Sequence, residues 1–130
     1  MPEMPDLEVY VERARALIGG KTLQRVRLLN PFLLRTALPP IASAEGRRVA
    51  GIERIGKRIV LVLAAADGGE LYVVIHLMIA GRLKWLPVGA KVPGGKATLA
   101  AFEFDAGTLV LTEAGTKRRA SLHLYGDRAA

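Results

Sequence analysis

Residues 2 and 3 could do chemistry with little help from the rest of the chain. Initiator methionine is commonly removed when proline follows, because proline is small. Pro2 would then be a free secondary amine with the Glu3 carboxylate directly beside it. An N-terminal amine titrates at about 7.7–8.0 in model compounds, so a useful fraction is neutral and nucleophilic near neutral pH. A secondary amine that attacks an aldehyde-level carbon gives an iminium, which is always cationic and acts as an electron sink. Pro2 and Glu3 thus have the makings of a covalent amine catalyst with a general acid/base alongside. The plainer reading is a short leader in front of an ordinary amphipathic helix, since Pro-Glu at a terminus is common.

Other candidates lie in loops. Lys57 falls in a hairpin-like link between Arg54 and Arg58, where an ammonium at the tip suits a phosphate or a leaving group. Ile79, in Met78-Ile79-Ala80-Gly81, is an apolar side chain on a glycine-bounded loop and could wedge into a base stack. Lys117, Arg118 and Arg119 end a further loop and could enter a groove. Each has a bland alternative: a solvated turn lysine, a buried loop residue, a basic strand start. His76 and His123 are too few and too separated in sequence for a metal site and read as satisfied strand histidines. No metal site is expected, and no Ser/His/Asp set, phosphate loop or nucleotide fingerprint is present.

The elements that must position these groups follow from the pattern. Pro5 fits a first helical turn, Leu7, Val11, Ala14, Leu17 and Ile18 recur at helical spacing, and Gly19-Gly20 stops the run. Beyond it, strands are expected over Thr22–Leu29, Val49–Ile55, Arg58–Ala65, Leu71–Leu77, Arg82–Leu86, Thr98–Phe104, Thr108–Thr112 and Arg119–Tyr125. The run Ile59–Leu63 lacks polar alternation and reads as a strand covered on both faces. About eight short strands and one solid helix predict a mainly β (α+β) domain: a two-layer antiparallel β-sandwich with an N-terminal α-helix.

The 130 residues are enough for one domain with a real core. With 51% apolar residues but one Trp, three Tyr and three Phe, that core should be mostly aliphatic. There is no cysteine, which removes disulfides and thiolate metal sites from this chain. The apolar runs fall far short of the roughly 20 residues that span a bilayer, and no charged-then-apolar leader opens the chain. A cytoplasmic protein is the default expectation. Four of the 12 acids, and none of the 19 Lys and Arg, lie in the first twelve residues, which leaves +11 on the remainder. A polyanion is the expected partner, with a solvated basic surface as the alternative.

These pieces match a family. Met1-Pro2-Glu3-Met4-Pro5-Asp6-Leu7-Glu8 resembles the Met-Pro-Glu-Leu-Pro-Glu-Val-Glu opening of the formamidopyrimidine-DNA glycosylase/endonuclease VIII family. Arg54-Ile55-Gly56-Lys57-Arg58-Ile59 resembles its catalytic lysine hairpin. His76-Leu77-Met78-Ile79-Ala80-Gly81 is similar to its His-Leu-Gly-Met-Ser-Gly loop, and Thr116 to Ala120 stand in place of Asp-Pro-Arg-Arg-Phe. The four matches fall in the family's order and cover its N-terminal domain.

The resemblance implies a bifunctional DNA glycosylase and abasic-site lyase acting on oxidised purines in double-stranded DNA, as a nucleoid-associated monomer with no membrane partner. Pro2 would attack C1′ of a flipped nucleotide and expel the base, Glu3 would be the acid/base at the sugar, and Lys57 would hold a phosphate. Ile79, Arg118, Arg119, Lys117, Arg58 and Arg54 would contact DNA. The departures are specific. Ile79, beside Met78, replaces a wedge methionine; Ala120 replaces a wedge phenylalanine; and near the family's histidine contact stand Lys96 and Thr98. The family's helix–two-turn–helix domain and zinc finger, with its zinc, have no counterpart in these residues. The expectation is a catalytic domain of a longer enzyme, or a truncated relative, which alone binds DNA weakly and turns over little. A non-catalytic basic β-module for DNA or RNA, or a β-domain that docks on a protein, are the alternatives.

Overall fold

The computed structural model describes residues 4–30, 33–36, 40–64, 69–78, 81–91, 98–113 and 120–126, with helix side chains from Leu7 onward. Helix α1 spans Met4–Ile18. Its apolar stripe buries Leu7, Val11, Ala14 and Ile18 in the main core, and it packs mainly on strand β3 (Arg47–Ile55). The helix ends where Lys21 N–H donates to the Ile18 carbonyl over Gly20, whose φ is 76°. That left-handed cap suits glycine, and the Gly20 N–H then donates to the Val49 carbonyl in β3.

The remaining strands are β1 (Thr22–Leu23), β2 (Arg25–Leu28), β4 (Arg58–Ala64), β5 (Glu70–His76), β6 (Gly81–Pro87), β7 (Thr98–Phe104), β8 (Gly107–Glu113) and β9 (Ser121–Tyr125). They form two antiparallel sheets, ordered β1-β3-β4-β5-β9 and β2-β7-β8-β6. The expected sandwich is therefore present, with a single difference in strand division. The run Thr22–Leu29 is two strands rather than one. At Gln24, whose N–H donates to the Glu103 carbonyl, the chain leaves the five-stranded sheet and joins the four-stranded one. Such a corner lets one strand serve both layers. A 3-10 turn at Ile41–Ala44 lies between β2 and β3. Residues 33–36 run beside β9, with the Arg35 N–H donating to the Leu122 carbonyl, and so cover that sheet's edge.

The core between the sheets is aliphatic, as composition requires, with Phe102 and Phe104 as its aromatics. β4 is covered on both faces. Ile59, Leu61 and Leu63 point into the main core, while Val60 and Val62 join Tyr72, Val74 and Tyr125 in a second cluster on the outer face. Leu61→Ala should cost about 2.5–5 kcal/mol of unfolding free energy in urea titrations, because the inner layer cannot collapse onto the void. A loss below about 1 kcal/mol would contradict this packing.

Candidate active site

The register gathers the segments singled out by sequence at one end of the sandwich. Across the five-stranded sheet Ile55 pairs with Arg58, Arg58 with His76, and His76 with Ser121. The Lys57 turn, the loop after His76 and the loop before Ser121 therefore leave from neighbouring strand ends. In the other sheet Gly81 pairs with Glu113, which brings the far side of both loops to that same end.

The Lys57 turn is a two-residue hairpin. Gly56, at φ 61°, takes the first position, and Lys57 keeps an ordinary negative φ. Glycine there gives the mirror-image turn that matches the strands' twist. Lys57 and Arg58 are exposed at its tip. Arg54 is engaged differently. Its Nη2 lies 3.3 Å from Glu8 Oε1 on α1, and its Nη1 donates to the Gly56 carbonyl at 2.9 Å. A cleft of about 270 Å³ separates helix from strand there, lined by Glu8, Val11, Glu12, Arg15 and Arg54. Arg15 also ties the helix down, donating from Nε to the Ile52 carbonyl at 3.0 Å. Pro2 and Glu3 lie outside the described residues, but the helix that follows them is held against the lysine turn.

The loop after β5 is closed by the Gly81 N–H donating to the Leu77 carbonyl at 2.9 Å. A Cβ on Gly81 would lie 2.2 Å from that oxygen, so no other residue fits without a shift. Within the loop Met78 has φ 57°, and among the described residues no other non-glycine has a positive φ. A methionine in the left-handed region is strained, and such strain concentrates at functional sites. Ile79 lies outside the described residues. Met78 was not singled out from sequence; the glycine three residues on was the available signal.

The basic loop is anchored by Glu113. This residue is 1% exposed, and its Oε2 accepts the Ala120 N–H at 2.8 Å, closing the base of the segment 114–119. Lys117, Arg118 and Arg119 fall within that segment and outside the described residues. Ala120 is buried in the main core, so it faces inward rather than toward a duplex. Lys96 also lies outside the described residues, whereas Thr98 is buried.

His76 and His123, distant in sequence, meet on the outer face of the five-stranded sheet with ring centroids 5.3 Å apart. His123 contacts Ser121 Oγ through Nε2 and the Tyr125 hydroxyl through Nδ1, each at 3.3 Å. Burial lowers the pKa of His76, with Arg58 and then His123 adding to the effect. Burial likewise lowers His123, followed by Arg35 and Arg58. Cations around a histidine pair disfavour a metal ion, and no group of three or more His, Cys, Asp or Glu gathers among the described residues. The same cations favour an anion on this face.

Residues 1–121 match the family described as the formamidopyrimidine-DNA glycosylase N-terminal domain. A formamidopyrimidine-DNA glycosylase of Solibacter usitatus is 37% identical over 115 residues, 87% of this chain and 40% of that protein. One from Deinococcus radiodurans is 33% identical over 112 residues, 82% of this chain and 36% of that protein. The chain thus spans about 40% or less of the length of these curated relatives. Among solved structures, the Lactococcus lactis Fpg in complex with DNA containing an abasic site superposes with a TM-score of 0.82 at 19% identity. That match covers 95% of this chain and 43% of the other, and at this identity it speaks for the fold.

Two outcomes are expected from the site's construction. Gly81→Ala should destabilise the protein by about 1–3 kcal/mol in denaturant, because the new methyl overpacks the loop's closing bond; a neutral result would contradict the close approach. The histidines supply a pH dependence. Their folded pKa values lie below 6.5, so their share of stability is full above that pH and is lost as pH falls from there toward the folded values. The double variant H76N/H123N should flatten the decline in urea midpoint between about pH 7 and pH 5. An unchanged slope would show that the imidazoles are not the titrating groups.

Proposed function

The chain belongs to the formamidopyrimidine-DNA glycosylase family, and from that premise we propose that it is the N-terminal catalytic domain of a base-excision DNA glycosylase with abasic-site lyase activity. The substrate class is oxidised purines of the formamidopyrimidine and 8-oxoguanine type in double-stranded DNA. The reading is carried by the convergence of the N-terminal helix, the Lys57 turn and the two loops at one end of the sandwich.

In this reading the Pro2 amine attacks C1′ of an extruded nucleotide, and the C1′–base bond breaks as the base leaves with a proton. Glu3 handles the proton at the sugar oxygen as the ring opens and the iminium forms. That cation acidifies C2′–H; loss of this proton and departure of the 3′ phosphate cleave the strand. Lys57, at an exposed tip, pairs with a phosphate by the lesion. Extrusion is required because these atoms are inaccessible inside a duplex, and a damaged base is the cheapest to unstack. Arg58, Ile79, Lys117, Arg118 and Arg119 would hold the duplex and fill the vacated space.

The chain's span within its relatives fits a longer enzyme whose further segments supply a helix–two-turn–helix and a zinc finger. Nothing in this chain suits that zinc: it has no cysteine, and no step here passes through the metal. Among the described residues no helix is long and apolar enough to cross a membrane. A monomer acting at the nucleoid is the working arrangement.

Borohydride reduction with an abasic duplex provides the test. The full-length protein, with its mature N-terminus confirmed, should form a covalent protein–DNA adduct, and Glu3→Gln should slow glycosylase action on a damaged base by about 100-fold or more. No adduct would sink the amine mechanism. Salt-dependent binding indifferent to Pro2→Gly and Glu3→Gln, and equal for damaged and intact duplex, would favour a non-catalytic basic module.

A further inference from the structure

Arg54 belongs by sequence to a cation cluster with Lys57 and Arg58, yet its guanidinium is directed at the helix and at the turn's own backbone. One nitrogen meets Glu8 Oε1 at 3.3 Å and another meets the Gly56 carbonyl at 2.9 Å. The Arg54 side chain is 26% exposed, against 59% for Glu8. A planar guanidinium can hold two acceptors in fixed relation, which the single nitrogen of a lysine cannot. Gly56, at φ 61°, and Lys57 form the turn between the paired residues Ile55 and Arg58, and the bond from Arg54 adds to that pairing a hold on the peptide that leads into Lys57. At the other end, Glu8 lies about 6 Å along the helix from Met4, given 1.5 Å of rise per residue.

We propose that Arg54 is a positioning residue: through Glu8 and the Gly56 carbonyl it fixes the first turns of α1 relative to the Lys57 turn. The proposal rests on the catalytic reading above, and it assigns to Arg54 a role other than contact with DNA. Reacting atoms must come within about 3–3.5 Å, and a displacement of about 1 Å can cost 100-fold in rate. On the catalytic reading, a helix that carries the terminal amine and a turn that carries a lysine must keep a fixed relation, and Glu8–Arg54–Gly56 connects the two.

The test uses the full-length protein with Arg54→Met, Arg54→Lys and Glu8→Ala, the last at an exposed helix position where alanine preserves folding. Single-turnover strand cleavage on an abasic duplex should slow about tenfold to 100-fold in all three. Duplex affinity and its salt slope should stay at the wild-type values. Arg54→Lys should fail to rescue, and Arg54→Met should add no further loss in a Lys57→Ala background. Weaker binding with a salt slope reduced by about one would make Arg54 a phosphate contact and overturn the proposal. Unimpaired cleavage, or losses that multiply with Lys57→Ala, would overturn it too.

A second readout needs no chemistry. Glu8→Ala should speed hydrogen exchange of the amides at residues 56–58, although the substitution lies on the helix. Unchanged exchange there overturns the bridge even if the wild type traps DNA. Wild-type failure to trap, with the exchange coupling intact, removes the catalytic reading and leaves the bridge standing.

Discussion

A chain terminus is the part of a fold least able to hold itself still. A catalyst that uses its terminal amine has to solve that problem before any other. If the proposed mechanism holds, the docking of α1 on β3 is this protein's answer. Leu7, Val11, Ala14 and Ile18 are buried along one stripe, and the larger three contribute about 1.5–3 kcal/mol each in apolar burial. Burial alone leaves a helix free to slide along a smooth sheet. Arg15 to the Ile52 carbonyl and Arg54 to Glu8 pin its position along the strand.

The sandwich does the rest by register. The β3–β4 and β5–β6 links share one end, and because β7 starts level with Arg82, at the end where β6 also starts, β8 finishes at that end as well and the chain after Glu113 leaves from there. What these links need is closure of each loop at its base. Gly56 permits the tight turn, the Gly81 N–H closes on Leu77, and Glu113 closes on Ala120. The last two closures are each a single short polar contact at a strand end.

Much of this arrangement was legible in the sequence, and the remainder was hidden for identifiable reasons. The helix showed in the spacing of Leu7, Val11, Ala14 and Ile18, and the doubly covered strand in the unbroken run Ile59–Leu63. Both are local patterns. The split at Gln24 was not legible, because no glycine or proline marks it; the corner exists only because two sheets compete for one strand. Arg54 looked like its neighbours in a cation cluster, since its partner Glu8 is remote in sequence. The approach of His76 to His123 depends on β5 pairing with β9, which no spacing rule reports. The strand expected over Thr108–Thr112 runs one residue further, to the buried Glu113, whose partner Ala120 lies beyond the loop. Local physics made the elements readable, while the contacts between them had to be seen.

The central claim is that the terminal amine, and no side-chain amine, is the nucleophile. Proteolysis and tandem mass spectrometry of the borohydride-reduced adduct of the full-length protein measure this directly. The account predicts the deoxyribose-derived mass on the peptide that begins at Pro2, attached to its nitrogen. The same mass on Lys57, or on any other lysine, would contradict it.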